Sequence, residues 1–270
     1  MGELKSIQIG EDIIDFEQLK NNTLTQALNL SWQLQPRNIM DVLGTTDVKQ
    51  TFLKLQELAV TGDFAKLRLG DYIEVPNLHT YGAVKLEIVA FNHYLGRGAP
   101  TIVKPHITFM SEDILEIKRM DPHNENRYYY NRELALYLNS TVATALTASI
   151  GITPMPVTLQ WDWHVSHIAT LSVYIPQLEE VMSPGANWGL FGEYGTPTLS
   201  SQFPLFALAP YKIHKKYRGT VITWWTATPN RDRTFAFSVV PVDGVDAGGV
   251  STGFASGVSL SQGVTLTFNL

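Results

Sequence analysis

Residues 221–229 read Val-Ile-Thr-Trp-Trp-Thr-Ala-Thr-Pro, and the interpretation of the whole chain rests on this stretch. β-Branched and aromatic residues dominate it, which predicts a strand over 221–226. Trp224 and Trp225 are adjacent, so on a strand their side chains point to opposite faces. One ring is then expected to fill the core while the other supports a layer of loops. A packing role for the two tryptophans is favoured over one in which both rings stack on a ligand.

Strand patterns lie on both sides of this motif. Apolar alternation or short apolar runs predict further strands at 72–75, 84–90, 107–110, 168–175, 234–240 and 264–268. A hairpin connection is expected over 76–82. Residues 131–139 predict a helix that ends at Asn139, and a second short helix follows over 142–148. Residues 182–211 are rich in Gly, Pro and aromatic residues, which favours one long ordered loop.

The N-terminal part of the chain has a different pattern. Apolar residues recur at helical spacing over 15–34, and a second helix is predicted to begin near Asp47, to run through Phe52 and Leu55 and to end at Gly62. Two short helices cannot bury their apolar stripes alone. We therefore predict a helical anchoring or oligomerisation segment at 1–67, an α+β domain at 68–270, and a homo-oligomer.

Composition excludes several classes of protein. The net charge is −5, and the densest basic spot is Lys215-Lys216 with Arg218, so nucleic-acid binding is not expected. There is no cysteine, which excludes disulfides, thiolate metal sites and a cysteine nucleophile. Only 17% of residues are charged, which fits a protein that lies against other subunits. No signal peptide or membrane-spanning run is visible, which predicts synthesis in the cytoplasm without membrane insertion.

An ordered set of short motifs resembles an uncharacterised domain family of gut bacteria and their phages. The family hallmark is Trp-Trp-Leu-Arg-Ser-Pro, which stands here as Trp224-Trp225-Thr226-Ala227-Thr228-Pro229. The other matching segments lie, in order, at 70–73, 89–93, 107–109, 134–139, 175–181 and 264–270. Ala227 and Ala135 replace arginines of the family pattern. A site of the family that depends on these arginines is therefore not expected in this chain, whereas the scaffold is expected to be the same.

The resemblance covers residues 68–270 and implies a C-type-lectin-like fold, in which long loops are held on a small scaffold. Domains of this kind include phage receptor-binding proteins and formylglycine-generating-enzyme-like folds. Function then depends on the loops, so the fold alone does not name a ligand. Trp224, Trp225 and Pro229 are expected to be structural.

The predicted contact surface comprises segments 183–210 and 230–233, together with the turn at 243–249. Rigid aromatic residues among Gly, Ser, Thr and Asn are typical of binding surfaces. The candidate contact residues are Trp188, Phe191, Tyr194, Asn230, Arg231 and Arg233. The alternative is that the aromatic residues of 183–210, Phe203 and Phe206 among them, attach the loop to its own domain.

Metal and cofactor binding are not expected. Asp162, His164 and His167 contain ligand atoms, but positions three apart on a strand face opposite sides. Asp243 and Asp246 lie in an acidic stretch that could bind calcium, but an ordinary polar turn is the favoured interpretation of this pattern. The acidic tripeptide with which C-type lectins bind calcium and sugar is absent from the sequence.

Enzyme activity is not expected either. Ser166 beside His167 lacks the context of a nucleophile elbow. Glu179 and Glu180 are adjacent, and on a strand such neighbours face apart. Formylglycine-generating chemistry depends on cysteines that this chain lacks.

Two classes of function remain. The first is a phage virion structural protein, either a capsid auxiliary or head-fibre subunit or a tail receptor-binding component, which contacts other virion subunits and a host-surface glycan or protein. The second is a bacterial, non-enzymatic glycan- or protein-binding module. Neighbouring portal, capsid or tail genes would distinguish the first from the second.

Overall fold

A computed structural model of the chain describes residues 6–9, 12–15, 35–98, 100–121, 129–160, 168–181, 202–229, 236–240, 255–257 and 260–270. The helices are α1 Ile39–Leu43, α2 Val48–Thr61, α3 Glu133–Tyr137, α4 Ala143–Ile150, α5 Leu178–Val181 and α6 Pro204–Leu208. A π-helical turn, Leu138–Val142, joins α3 to α4, and short 3-10 turns lie at His79–Tyr81, Tyr129–Asn131 and Pro210–Ile213.

The strands fall into five sheets. In chain order they are β1 Ser6–Ile9, β2 Asp12–Asp15, β3 Tyr72–Val75, β4 Val84–Phe91, β5 Ile107–Ser111, β6 Glu116–Arg119, β7 Val157–Gln160, β8 Ile168–Leu171, β9 Val173–Tyr174, β10 Lys216–Tyr217, β11 Thr220–Val221, β12 Trp224–Pro229, β13 Ala236–Val240, β14 Ala255–Gly257, β15 Ser261–Val264 and β16 Thr267–Asn269. The main sheet has the order β3-β4-β5-β16-β9, and the second sheet has the order β14-β13-β12-β15-β6. This mixture of helices and open sheets confirms the α+β class.

Two strand pairs connect the main sheet to the second sheet. β5 and β16 pair in the main sheet, while their direct continuations β6 and β15 pair in the second. Between them, Ser111 N donates to Leu266 O and Leu115 N donates to Val264 O. The same antiparallel ribbon thus crosses from one sheet to the other, which fixes their relative position. Most of the predicted strands are confirmed within a few residues, including the hairpin of β3 and β4.

The N-terminal prediction is only partly right. Ser6–Ile9 pairs with Asp12–Asp15 as an antiparallel hairpin, so these residues of the segment predicted to be helical are strands. The helix predicted after Asp47 is confirmed as α2, and Gly62 ends it in the left-handed conformation, at φ 71°. That conformation is available to glycine without strain, which explains its place. Residues 16–34 lie outside the described residues.

Helix α2 packs on its own chain. Its Phe52 lies 5.7 Å, ring centroid to centroid, from Phe109 of β5 and 6.4 Å from Phe268 of β16. Phe52, Leu55 and Ala59 are buried in the same core as the strands. The apolar stripe of α2 therefore has its partner surface within the chain, and this helix no longer gives a reason to expect an oligomer.

The main sheet buries chemically different residues on its two faces. Phe268 and Phe109 are opposite each other in register, and their rings stack at 5.5 Å beneath α2. The next pair along, Asn269 and Thr108, points to the other face because side chains alternate along a strand. There Thr108 Oγ1 donates to Asn269 Oδ1 at 2.8 Å. We call these the apolar face and the polar face of the main sheet.

Asn139 does not end the helix that contains it. Helices α3 and α4 are joined without interruption by the π-helical turn, in which Asn139 lies. Its Nδ2 donates to Val173 O at 2.6 Å, and its Oδ1 accepts from Ser172 N at 2.8 Å. A π-helical turn is rare, and it changes the direction of the side chains within the helix that contains it. Here the redirected amide binds the backbone at the edge strand β9.

The loop predicted over 182–211 is also partly wrong. Its last third contains α6 and the 3-10 turn Pro210–Ile213. Phe203 and Phe206 are fully buried, and they pack against each other with centroids 6.1 Å apart. For these two residues the alternative interpretation is confirmed, because they attach the segment to its own domain.

Candidate functional site: the base of the predicted contact loops

All six candidate contact residues lie outside the residues that the structure describes. They are Trp188, Phe191, Tyr194, Asn230, Arg231 and Arg233. The residues that flank them are described, so the structure shows where each segment leaves the scaffold and where it returns.

Segment 182–201 leaves and returns at one place. Phe203 N donates to Glu180 O at 2.7 Å, and Gln202 Nε2 donates to Val181 O at 3.0 Å. Two hydrogen bonds therefore join the last residues before the segment to the first residues after it.

Segment 230–235 leaves the scaffold beside the same helix. It connects β12 to β13, and the end of β12 contacts α5 and the residues before it. Leu178 N donates to Thr228 Oγ1 at 2.8 Å, and Ala227 N donates to Pro176 O at 2.8 Å. The two predicted contact segments thus start from one common structure, α5 with Gln202, Phe203 and Thr228, which we call the loop base.

The third predicted contact segment, the turn at 243–249, starts elsewhere. β13 runs antiparallel to β12, with Pro229 opposite Phe237 and Trp224 opposite Val240. The chain therefore leaves β13 beside Trp224, at the end of β12 that lies away from the loop base. A strand of this length spans roughly 17–20 Å. The strand that precedes this turn therefore ends away from the loop base, whereas the sequence had grouped the three segments together.

The carboxylate of Glu180 is the centre of the loop base. Its Oε1 accepts from Tyr94 Oη at 2.7 Å, and its Oε2 accepts from Gln177 N at 2.8 Å. Glu180 lies in helix α5, not on a strand as the sequence interpretation assumed. Its side chain is only 3% exposed. A buried charge is tolerated when hydrogen bonds replace its water, and Glu180 meets this condition.

A chain of hydrogen bonds connects Glu180 to the polar face of the main sheet. Asn269 Nδ2 donates to Tyr174 Oη at 2.8 Å, and Tyr174 Oη donates to Tyr94 Oη at 3.0 Å. Because Tyr94 donates in turn to Glu180, each donor polarises the next, and the chain is expected to be cooperative. Burial raises the pKa of Tyr94 and of Tyr174 well above the usual range, and the charge of Glu180 raises both further. Both phenols stay protonated.

Two histidines flank Tyr94. His106 Nε2 accepts from Tyr94 N at 2.9 Å, while its Nδ1 lies 3.0 Å from Lys104 O. Burial lowers the pKa of His106, the hydrogen bond to Lys104 opposes this, and a charge on His93 lowers it further. His93 lies on the other side, with its Nε2 3.4 Å from Glu180 Oε1 and its ring 4.5 Å from that of Phe203.

The Trp-Trp motif is structural, as predicted, but both rings are in the core. Trp224 and Trp225 are fully buried. Trp224 Nε1 donates to Ile213 O at 3.0 Å, and Trp225 Nε1 donates to Lys118 O at 2.9 Å. The two indoles thus connect β12 to two different segments, which explains how adjacent tryptophans can both be satisfied. Pro229 is the last residue of β12.

The densest basic spot of the sequence is only partly on the surface, because Lys216 and Arg218 are exposed and Lys215 is not. Lys215 is buried, with its Nζ donating to Ser111 O at 2.8 Å and lying 5.6 Å from the centroid of the Phe206 ring. Burial lowers the pKa of Lys215 to about 8, and the nearby charge of Glu87 opposes this only in part. Glu87 pairs with Lys212.

Several candidate sites of the sequence interpretation fall outside the described residues. These are the histidines at 164 and 167 with Asp162 and Ser166, and the acidic turn of Asp243 and Asp246. Within the described ranges, no group of three or more histidine and carboxylate side chains is placed to hold a metal ion. In the same part of the chain, no helix is long and apolar enough to cross a membrane.

The sequence interpretation did not identify the hydrogen-bonded chain at the loop base. Tyr94 and Glu180 are 86 positions apart, and Tyr174 and Asn269 are 95 apart, so no local pattern joins them. A signal was nevertheless present. His93 closes one of the segments that carry the family resemblance, at 89–93, and Glu180 lies in another, at 175–181. The fold brings these two motifs into contact.

No family model, curated protein or solved structure matches this chain.

Proposed function

We propose that this chain is a structural protein of a phage particle, a capsid-attached subunit or a tail component, that displays a C-type-lectin-like binding domain. It is made in the host cytoplasm, acts in the virion and contacts other virion subunits. One observation supports the binding role above all others. Segments 182–201 and 230–235, which contain the candidate contact residues of the predicted surface at 183–210 and 230–233, both leave the scaffold at the loop base.

The loop base is suited to holding a surface and not to catalysis. Glu180, Tyr94 and Tyr174 are buried and bonded to one another, so their polar atoms are used in positioning. A binding surface needs a rigid support beneath adaptable residues, because ordering the surface on binding costs affinity. The segments that leave the scaffold at this support carry the aromatic residues and the arginines.

The proposal implies one shared contact surface. Aromatic residues of segment 182–201 stack on or pack against the ligand, a host-surface glycan or protein, while Arg231 and Arg233 of segment 230–235 bind polar or acidic groups. Because β13 ends beside Trp224 and not at the loop base, the proposed surface does not include the turn at 243–249. No metal or cofactor is required.

The test compares three folded variants with the wild type in binding to a panel of gut bacterial cells and to a glycan array. Trp188→Ala with Tyr194→Ala removes two aromatic residues, and Arg231→Ala with Arg233→Ala removes the charges. Each pair is expected to weaken binding about thirtyfold or more, as for residues at the centre of an interface. Asp243→Ala with Asp246→Ala is the matched control and is expected to bind as the wild type does.

Equal binding by all four proteins would remove these segments as the contact surface. If none of the four proteins binds and gold labelling places the protein on the capsid shell, the proposed binding role is wrong and the protein has a purely structural role. Labelling of purified particles also separates the virion proposal from the alternative of a bacterial binding module, which would be absent from particles. A homo-oligomer is still expected for a particle component, and light scattering at high concentration measures it.

A further inference from the structure

A surface groove lies between the C-terminal end of helix α2 and the residues that precede β7. Its volume is about 530 Å³, and most of the side chains that line it are apolar, among them Ala59, Val60, Pro105, Met155, Pro156 and Leu270. Of the described residues that line it, only Lys104 is charged. Met155 N donates to Asn269 O at 2.7 Å, and Leu270 N donates to Ile107 O at 3.0 Å. These hydrogen bonds attach one wall of the groove to the main sheet, so the groove is a fixed feature of the domain.

The other wall of the groove is an exposed apolar surface of α2. Val60 is 76% exposed, and Leu53, two turns earlier on the same side of the helix, is 50% exposed. This surface is separate from Phe52 and Leu55, which are buried in the core. A surface helix commonly has one apolar stripe, the one that faces the core. A second apolar surface beside a groove is typical of a place where another segment or partner binds.

Residues 16–34 of the same chain have the composition that this groove requires. Apolar residues recur there at helical spacing, among them Leu24, Leu28 and Trp32. No charged residue occurs over 21–36. Burying this stretch in a groove that has a single charged residue therefore takes almost no charge out of water, which is the main cost of burial.

The segment also ends near the groove. Residue Arg37 is fixed beside β3, because its guanidinium pairs with Asp71. From there a row of hydrogen-bonded or paired residues crosses the main sheet to the strand that leads to Leu270: Asp71, Ile88, Phe109 and Phe268. Three strand spacings amount to roughly 14 Å. Residues 16–34 would span about 28 Å even as a helix, so the segment reaches the groove.

We propose that residues 16–34 pack in this groove, with their apolar side chains against Val60 and Met155 of the same chain. Covalent attachment favours this occupant over a second copy, because it gives the segment an effective concentration of about a millimolar at the groove. The N-terminal segment then belongs to the fold of its own domain. This inference does not depend on the proposed function, since it concerns only how the chain covers its own surface.

Disulfide trapping tests the contact, because the chain contains no cysteine and an introduced pair has no competitor. Val60→Cys is combined in the full chain with one further cysteine at a time at positions 24 to 32. Each protein is oxidised, and the products are identified on non-reducing gels and by peptide mass spectrometry. At least one pair is expected to form a disulfide within the monomer. The control replaces Val60→Cys by Tyr211→Cys, at another exposed residue, and should form none with the same partners.

Two results of the trapping experiment overturn the proposal. Disulfides that form only between two molecules would assign the groove to a second copy of the chain. The absence of a disulfide at every position from 24 to 32 would mean that the segment does not bind there.

Val60→Asp tests the same contact without a cross-link. A charge at this exposed position is harmless unless another segment covers it. Amide hydrogen exchange of residues 24–32 should be at least about tenfold faster in Val60→Asp than in the wild type, because the variant weakens the packing of the segment. Tyr211→Asp is the matched control and should leave this exchange unchanged. Equal exchange in the three proteins would overturn the proposal even where a disulfide forms.

Discussion

The two faces of the main sheet are equally buried but are held by different forces. On the apolar face, Phe109 and Phe268 stack beneath Phe52 of α2. On the polar face, the neighbouring residues Thr108 and Asn269 begin a chain of hydrogen bonds that ends at Glu180. Apolar contacts depend on area and barely on direction, whereas hydrogen bonds require a defined angle and distance.

This difference assigns each face a separate task. The apolar face supplies stability, because burying aromatic area is the dominant favourable term in folding. The polar face supplies position along the chain of hydrogen bonds from Thr108 to Glu180, where each donor has a defined acceptor and distance. The buried hydroxyl of Thr267, on the same face, has no partner among the described residues and does not take part. The loop base lies at the end of the polar face, which is where a binding domain needs defined geometry. Four predictions test this division, beginning with the largest effect.

Phe109→Ala should destabilise the protein by about 3–5 kcal/mol, because it leaves a cavity between Phe52 and Phe268 that the sheet cannot close. Denaturant unfolding followed by tryptophan fluorescence measures this. Tyr211→Ala, at an exposed aromatic residue, is the control and should change stability by less than about 0.5 kcal/mol. A small effect of Phe109→Ala would mean that the apolar face is not the main source of stability.

Trp224→Ala and Trp225→Ala extend the comparison to the second sheet. Each should cost about 3–5 kcal/mol, because both rings are fully buried and each indole nitrogen has a backbone acceptor. Replacement by Phe should cost less in each case, since most of the apolar volume is kept. Melting temperatures that do not change in either alanine variant would contradict the placement of the motif in the core.

The third prediction concerns Lys215, a buried charged residue that lies outside the chain of hydrogen bonds on the polar face. Burial lowers its pKa to about 8 from 10.5, so the folded state releases the proton before the unfolded state does. Below about pH 8 Lys215 is charged in both the folded and the unfolded state, so the folded protein bears the full cost of burying the charge. Stability should therefore rise with pH between about 8 and 10, by roughly 1.4 kcal/mol per pH unit at most.

The measurement is the difference in unfolding free energy between the wild type and Lys215→Met across this range. The buried tyrosines, whose pKa values are raised, act in the opposite direction above about pH 10, and they are common to both proteins. If the difference does not vary with pH, the lysine is not buried in the charged form.

Thr108→Val and Tyr174→Phe should have the smallest effects, about 1 kcal/mol each, since each removes one hydroxyl and keeps the packing. The two residues are joined through Asn269, so a double-mutant cycle should give a coupling above about 0.5 kcal/mol. Urea unfolding of the three variants supplies the cycle. Additive effects would mean that the polar face is a set of separate hydrogen bonds and not a chain.

Local patterns predicted the elements that local physics determines. Helix α2 begins at Asp47, whose side chain accepts from Gln50 N, and ends at Gly62, so its bounds could be identified from the sequence. The strands of the main sheet have the expected alternation or apolar runs. The burial of Trp224 and Trp225 also followed from their type, because large aromatic residues on strands pack in cores.

The sequence failed where a distant partner overrides a local preference. Asn139 is a good residue to end a helix, but the backbone of β9 offers its amide three hydrogen bonds, and the helix continues through it. Phe203 and Phe206 lie in a stretch whose composition is typical of a contact loop, yet both rings are buried in the core. The argument that Glu179 and Glu180 face apart holds for a strand, and the fold places both residues in the helix α5.

The sequence by itself determined the α+β class, the capped helix α2 and the segments that carry aromatic and arginine residues. Only the tertiary structure decided that these two segments share one base, and that β13, which precedes the third predicted contact segment at 243–249, ends at the opposite end of β12. It also decided that Tyr94, Tyr174, Asn269 and Glu180 form one chain. Strand pairing brings together residues nearly a hundred positions apart, and such contacts leave no trace in a local pattern because no single segment contains both partners.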